Sequence, residues 1–78
     1  MDSLDDKPNM GLLIRNRLKE KGQSVSWLAR QLHCSRENMY HIFAKPWIDT
    51  EMLLNISIIL EFNFFSYYNE FLHLKGVK

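Results

Sequence analysis

Hydrophobic side chains recur at helical spacing along this chain, in five segments separated by turn or capping residues. The first segment predicts an amphipathic helix over residues 10–21, with Asn9 placed to cap its start and Gly22 to end it. The apolar stripe of this helix consists of Met10, Leu13, Ile14 and Leu18. No segment has the alternation of apolar and polar residues that predicts a half-buried strand.

Residues 25–43 predict two short helices joined by a tight turn, the arrangement of a helix-turn-helix. Ser24 and Ser35 are placed to cap these helices, which end near Leu32 and Phe43. The residues expected to face inward are Leu28, Ala29, Leu32, Met39, Ile42 and Phe43. A unit of this kind can place the outward face of its second helix in the major groove of DNA.

Two more helices are predicted beyond Pro46, which ends the preceding helix because proline disfavours the α conformation in the residue before it. Asp49 is placed to cap a helix over residues 50–60, and Asn63 to cap a last helical segment over residues 64–72. The core stripe of the fourth helix consists of Leu53, Ile56 and Leu60.

These elements predict an all-α fold, a compact five-helix bundle in one domain over residues 9–73. A disordered acidic tail is expected over residues 1–8 and a flexible tail over residues 74–78. The single cysteine, Cys34, excludes an internal disulfide, and no apolar run approaches the roughly 20 residues that span a bilayer. The acidic N-terminus is not a secretory signal, so we expect a cytoplasmic protein.

The charge is unevenly distributed, although the net charge is only +1. Residues 1–10 hold three acids and one base, and residues 46–78 hold four acids and two bases. Residues 11–45 hold seven bases against two acids. The positive charge therefore surrounds the helix-turn-helix, as attraction to phosphate would require.

Metal-binding and catalytic patterns are absent from the sequence. His33, Cys34, His41 and His73 lack the CxxC or HxxxH spacing of a zinc site. Nothing places a nucleophile beside a base, and 78 residues leave little room for a catalytic pocket. We expect no metal, no cofactor, no enzyme activity and no small-molecule substrate.

Over roughly residues 10–72, the chain resembles the Cro/C1-type (xenobiotic-response-element, XRE) helix-turn-helix family of DNA-binding regulators. The matching features are Lys21-Gly22, Ser24, Leu28-Ala29, Leu32, Ser35-Arg36, Met39, Ile42 and the segment LLNISIILEFNFFSYY as helices four and five. The resemblance implies a lambda-repressor-like domain that reads double-stranded DNA with its third helix and regulates transcription. It also implies a nucleoid-associated protein of a prokaryote or phage.

The chain departs from the family pattern at two positions. His33 stands in the turn where the family usually has glycine, so His33 requires a left-handed or otherwise accommodated backbone. Val25 stands where the family often has a glutamine that contacts DNA. The valine side chain can neither donate nor accept a hydrogen bond. We therefore expect Ser24 or Ser26 to replace part of the lost contact by bonding a DNA phosphate.

The resemblance implies base contacts by Arg36, Glu37, Tyr40 and His41. For Arg36 we favour a bidentate contact with guanine over the alternative of an ion pair with Glu37 or Glu20. Glu37 either accepts from a cytosine amine or interacts with the helix N-terminus. Tyr40 either reaches a phosphate or a thymine methyl, or packs over Trp47 or the loop.

Contacts with the DNA backbone are expected from Ser24, Ser26, Ser35, Asn38 and Lys45. Asn38 has two alternatives: it bonds adenine or phosphate, or it is a local partner of the Ser35 cap. We expect Trp27 to pack in or beside the core, and Trp47 to close the core from the side in preference to contacting DNA.

The C-terminal aromatic residues, together with Leu54 and Ile58, exceed what one short helix can bury within its own domain. Because exposed apolar surface commonly marks an interface, we predict a homodimer through Leu54, Ile58, Phe65, Tyr68 and Phe71. The leading hypothesis is a sequence-specific DNA-binding regulator. The alternative is an antitoxin-like or adaptor module that binds another protein through this aromatic surface.

Overall fold

The computed structural model describes residues 6–78 and confirms the all-α prediction. Its five helices are α1 (Met10–Lys21), α2 (Val25–Gln31), α3 (Arg36–Phe43), α4 (Thr50–Leu60) and α5 (Phe65–Leu74). No strand occurs in this part of the chain. Most of the predicted acidic tail, residues 1–5, lies outside the described residues.

Side-chain caps begin the first four helices, as the sequence predicts. The four side-chain acceptors receive backbone N–H groups as follows: Asn9 from Leu12 at 3.2 Å, Ser24 from Trp27 at 3.0 Å, Ser35 from Asn38 at 3.0 Å and Asp49 from Met52 at 2.9 Å. Asn63 accepts from the N–H of Phe65 at 3.0 Å, at the start of α5. α5 extends past the predicted 64–72 segment to Leu74, so the predicted C-terminal tail begins inside this helix.

A left-handed residue follows α1, α2, α4 and α5, and at each of these ends two backbone hydrogen bonds close the last turn in a Schellman motif. Glycine fills the position after α1 (Gly22) and after α5 (Gly76). His33 takes it after α2 with φ of 57°, and Glu61 takes it after α4 with φ of 54°. Of the two possibilities at His33, a left-handed or an otherwise accommodated backbone, the structure has the left-handed one. The same conformation at Glu61 was not anticipated.

The core is formed by side chains of the first four helices and by Phe64, directly before α5, whose own residues are at most half-buried. Its buried side chains are Met10, Ile14, Leu18, Leu28, Ala29, Met39, Ile42, Phe43, Leu53, Ile56, Leu60 and Phe64. Leu32 and Trp27 are half-buried against this cluster, in agreement with the positions predicted for them, and Cys34 is half-buried as well. The predicted helical stripes are therefore the faces that the structure buries.

Two helices approach each other closely where the first turn of α1 meets the C-terminal end of α3. The backbone N–H of Met10 donates to the carbonyl of Pro46 at 2.8 Å, and that of Gly11 donates to Lys45 at 3.0 Å. A Cβ atom on Gly11 would collide with the carbonyl oxygens of Phe43 and Lys45. The N–H groups at a helix start have no partner within the helix, so the loop after α3 supplies their acceptors.

Trp47 does not close the core, and that expectation was wrong: its side chain is 71% exposed. The carbonyls of Lys45 and Pro46 accept hydrogen bonds from the start of α1, and these bonds hold the loop backbone in place. Ile48 is the loop residue that packs against the core, while Trp47 lies outside it.

Replacing Gly11 with alanine is expected to lower the free energy of unfolding by about 3 kcal/mol, because the added methyl would force α1 away from the α3 carbonyls. Asn16→Ala, at an exposed position of the same helix, should instead stabilise by about 0.5 kcal/mol through helix propensity. Denaturant unfolding at a fixed protein concentration measures both. A neutral or stabilising Gly11→Ala would contradict the close approach.

Replacing His33 with glycine is expected to raise the free energy of unfolding by about 0.5–1 kcal/mol, because glycine adopts positive φ without steric cost. The exposed His33 side chain gives up little packing in exchange. Gln31→Gly, two residues earlier and at the last position of α2, should lower stability by about 0.5 kcal/mol. If both variants are destabilised alike, His33 does not have a left-handed backbone.

Candidate nucleic-acid interface

The outward face of α3 carries the four residues expected to contact bases. Arg36, Glu37, Tyr40 and His41 are all exposed, while Met39, Ile42 and Phe43 are buried. At about 100° per residue, the four exposed positions form one continuous arc on the helix. The structure therefore brings them together on a single surface, directly after the Ser35 cap.

Arg36 is engaged by Tyr40 and not by an acid. Its Nη2 donates to the Tyr40 hydroxyl at 3.4 Å, and its guanidinium carbon lies 5.8 Å from the Tyr40 ring centre. Glu20, one acid considered as its partner, is paired with Arg17 at 3.3 Å. Among the described residues, no carboxylate lies within ion-pair distance of Arg36. The ion-pair alternative for Arg36 is therefore not the arrangement observed.

Tyr40 packs toward α1, which neither of its predicted alternatives anticipated. Its ring meets Phe43 edge-on with a centroid distance of 6.2 Å, and the guanidinium of Arg15 lies 5.9 Å from its centre. Among the described residues, no ring contact joins Tyr40 to Trp47. Arg15 was not among the predicted site residues, because α1 and α3 become neighbours only in the folded chain.

The residues expected to contact the DNA backbone divide between two places. Ser24, Ser26 and Ser35 lie at the starts of α2 and α3. The Ser24 and Ser35 oxygens accept capping hydrogen bonds, so their hydroxyl protons remain available to a phosphate. Asn38 and Lys45 line a groove beside α3.

This groove places the exposed Trp47 next to two predicted DNA-contacting residues. Its lining comprises Asn38, Ile42, Lys45, Trp47, Ile48, Asp49 and Met52. The backbone N–H of Asn38 is the partner of the Ser35 cap, which leaves its side chain to the groove. The capping role considered for Asn38 thus belongs to its backbone.

Only some of the basic residues in the segment 11–45 are paired with acids. Arg17 is paired with Glu20 and stacks on Phe62 at 4.5 Å, and Lys21 lies 3.4 Å from Glu61. These are the ion pairs found within residues 6–78. Arg15 and Arg36, the arginines next to the outward face of α3, are not among those paired, so their charges are available to a phosphate or a base.

The predicted dimer surface is partly exposed. Leu54 is 50% and Ile58 66% exposed, and both line a shallow apolar surface with Phe65. Tyr68 and Phe71 are half-buried, and burial raises the pKa of the Tyr68 hydroxyl above its ordinary value. Of the five predicted residues, the two on α4 are therefore the most available to a partner.

Residues 6–78 contain neither a membrane-spanning helix nor a cluster of metal ligands. No helix there is long and apolar enough to cross a bilayer. No group of three or more His, Cys, Asp and Glu side chains in that range is arranged to hold a metal ion.

No family model matches this chain, and neither a curated protein nor a solved structure does. The resemblance to XRE regulators therefore stays a prediction based on the residues themselves. The observed helix order and caps agree with the five-helix arrangement which that resemblance implies.

Proposed function

We propose that this protein binds double-stranded DNA sequence-specifically and regulates transcription, with α3 in the major groove. The observation that carries the proposal is the exposed arc of Arg36, Glu37, Tyr40 and His41 on a helix whose opposite face is buried. Arg36 offers a planar guanidinium that can bind guanine O6 and N7 together. Glu37 and His41 then contact neighbouring base edges, and Glu37 favours cytosine through its N4 amine.

Backbone contacts orient α3 in this proposal. Ser24 and Ser35 offer hydroxyl protons at the starts of α2 and α3, with Ser26 beside them, and Lys45 offers an ammonium group at the far end of α3. Contacts of this kind fix the register of a protein on the duplex without carrying sequence information. They occur at both ends of α3, as expected for a helix held between two DNA strands.

We further propose a homodimer formed through Leu54, Ile58, Phe65, Tyr68 and Phe71. The exposure of Leu54 and Ile58 and their contiguity with Phe65 support it. Two-fold symmetry would place two α3 helices about 34 Å apart and require a nearly palindromic site. The same surface equally supports the second candidate function, an antitoxin-like or adaptor module whose partner is a different protein.

Arg36→Ala is expected to weaken binding to a selected duplex about 10- to 100-fold and to reduce discrimination at one base pair, because one bidentate base contact is lost. Lys78→Ala removes an equal charge from the end of the chain and should change affinity little. Fluorescence anisotropy at several salt concentrations measures both, using duplexes selected from a random pool. Wild-type affinity that does not depend on salt, or equal effects of the two variants, would contradict the major-groove proposal.

Ile58→Glu is expected to convert a dimer to a monomer, because it places a charge in the proposed apolar interface. Leu74→Glu is the matched control, since Leu74 is 83% exposed and lies outside that interface. Sedimentation at increasing protein concentration measures the change. A monomeric wild type that forms a stable complex with another protein and does not bind DNA would favour the second candidate function.

A further inference from the structure

Arg15 of α1 lies against the outward face of α3. Its guanidinium carbon is 5.9 Å from the ring centre of Tyr40 and 5.8 Å from that of Phe43. Arg15 follows Gly11 by one helical turn, so the close approach of α1 and α3 at Gly11 brings the arginine within reach of both rings. A helix outside the helix-turn-helix thus contributes a cation to the candidate interface.

Two guanidinium groups share the Tyr40 ring. Arg36 lies 5.8 Å from the ring centre and Arg15 lies 5.9 Å from it. The two cations are therefore at most about 12 Å apart, close to the Debye length of about 10 Å at 0.1 M salt, so their repulsion is only partly screened. No carboxylate within residues 6–78 is in ion-pair distance of either group. The electron-rich ring of Tyr40 attracts both guanidinium groups but leaves their positive charges in place. An anion bound nearby would neutralise them.

We propose that Arg15 binds a backbone phosphate of the DNA, beside the bases that α3 contacts. The inference rests on the proposed DNA binding and adds a contact from α1 to it. Arg15 approaches Tyr40 from the side of α1, so it flanks the arc of α3 and does not extend it. When α3 occupies the major groove, its own side chains face the base edges and flanking cations face the phosphates of the groove wall.

The Tyr40 ring gives this contact its geometry. An exposed arginine side chain ordinarily samples many rotamers, whereas attraction to the Tyr40 and Phe43 rings favours those that keep Arg15 at the edge of α3. Less side-chain entropy is then lost on binding. The same ring holds Arg36 through its hydroxyl, so one tyrosine orients a phosphate contact and a base contact together.

The test compares Arg15→Ala, Arg15→Lys and Lys19→Ala with wild type, by anisotropy between 50 and 200 mM salt on a selected duplex and an unrelated one. Lys19 is the matched control, because it is exposed and lies one turn further along the same helix. Loss of one phosphate contact should reduce the slope of log K against log salt by about 0.9. Arg15→Ala should therefore show this reduced slope and bind both duplexes more weakly by a similar factor. The ratio of wild-type to variant affinity should be about threefold smaller at 200 mM salt than at 50 mM.

Arg15→Lys keeps the charge and should retain most of the wild-type slope, which separates a phosphate contact from a purely structural role. An unchanged slope in Arg15→Ala, or an equal loss in Lys19→Ala, would overturn the inference while leaving the proposed function intact. A slope in Arg15→Lys as low as in Arg15→Ala would also overturn it. Wild type that binds neither duplex would overturn the proposed function and this inference together.

Discussion

The contact between the start of α1 and the end of α3 is the constraint on which the candidate interface depends. α2 and α3 have seven and eight residues, too few to be stable as isolated helices in water. The N–H groups of Met10 and Gly11 donate to the Pro46 and Lys45 carbonyls, and the absent side chain of Gly11 lets the two backbones meet. This junction orients α3 and places Arg15 beside Tyr40.

The molecule separates two kinds of surface. Exposed arginines and a shared tyrosine lie where α1 meets α3, while Leu54 and Ile58 form an apolar surface on α4. A small domain cannot bury all of its apolar side chains, so an uncovered stripe is a natural place for a second chain. DNA binding through one surface and self-association through the other would not compete for the same residues.

Much of the fold could be predicted from short stretches of sequence, because a helix boundary is a local event. The oxygens of Asn9, Ser24, Ser35 and Asp49 accept N–H groups three residues ahead, so spacing alone identifies them. The exposed arc of α3 could also be predicted from sequence, because burial of Met39, Ile42 and Phe43 leaves the opposite positions exposed. The left-handed backbone of Glu61 was not predicted, because no glycine indicates it, whereas His33 stands where the resembled family usually has glycine.

The sequence by itself determined the five helices, their caps and the side of α3 that faces outward, because helical periodicity links these features to nearby residues. Only the tertiary structure decided which distant groups meet. The Lys45 and Pro46 carbonyls are bonded to Gly11 and Met10, which lie 34 and 36 residues away along the chain, and Trp47 directly after them is exposed. Arg15 joins Tyr40, and Gly11 meets the α3 carbonyls, for the same reason: contacts between helices depend on how the helices pack, which no local pattern specifies.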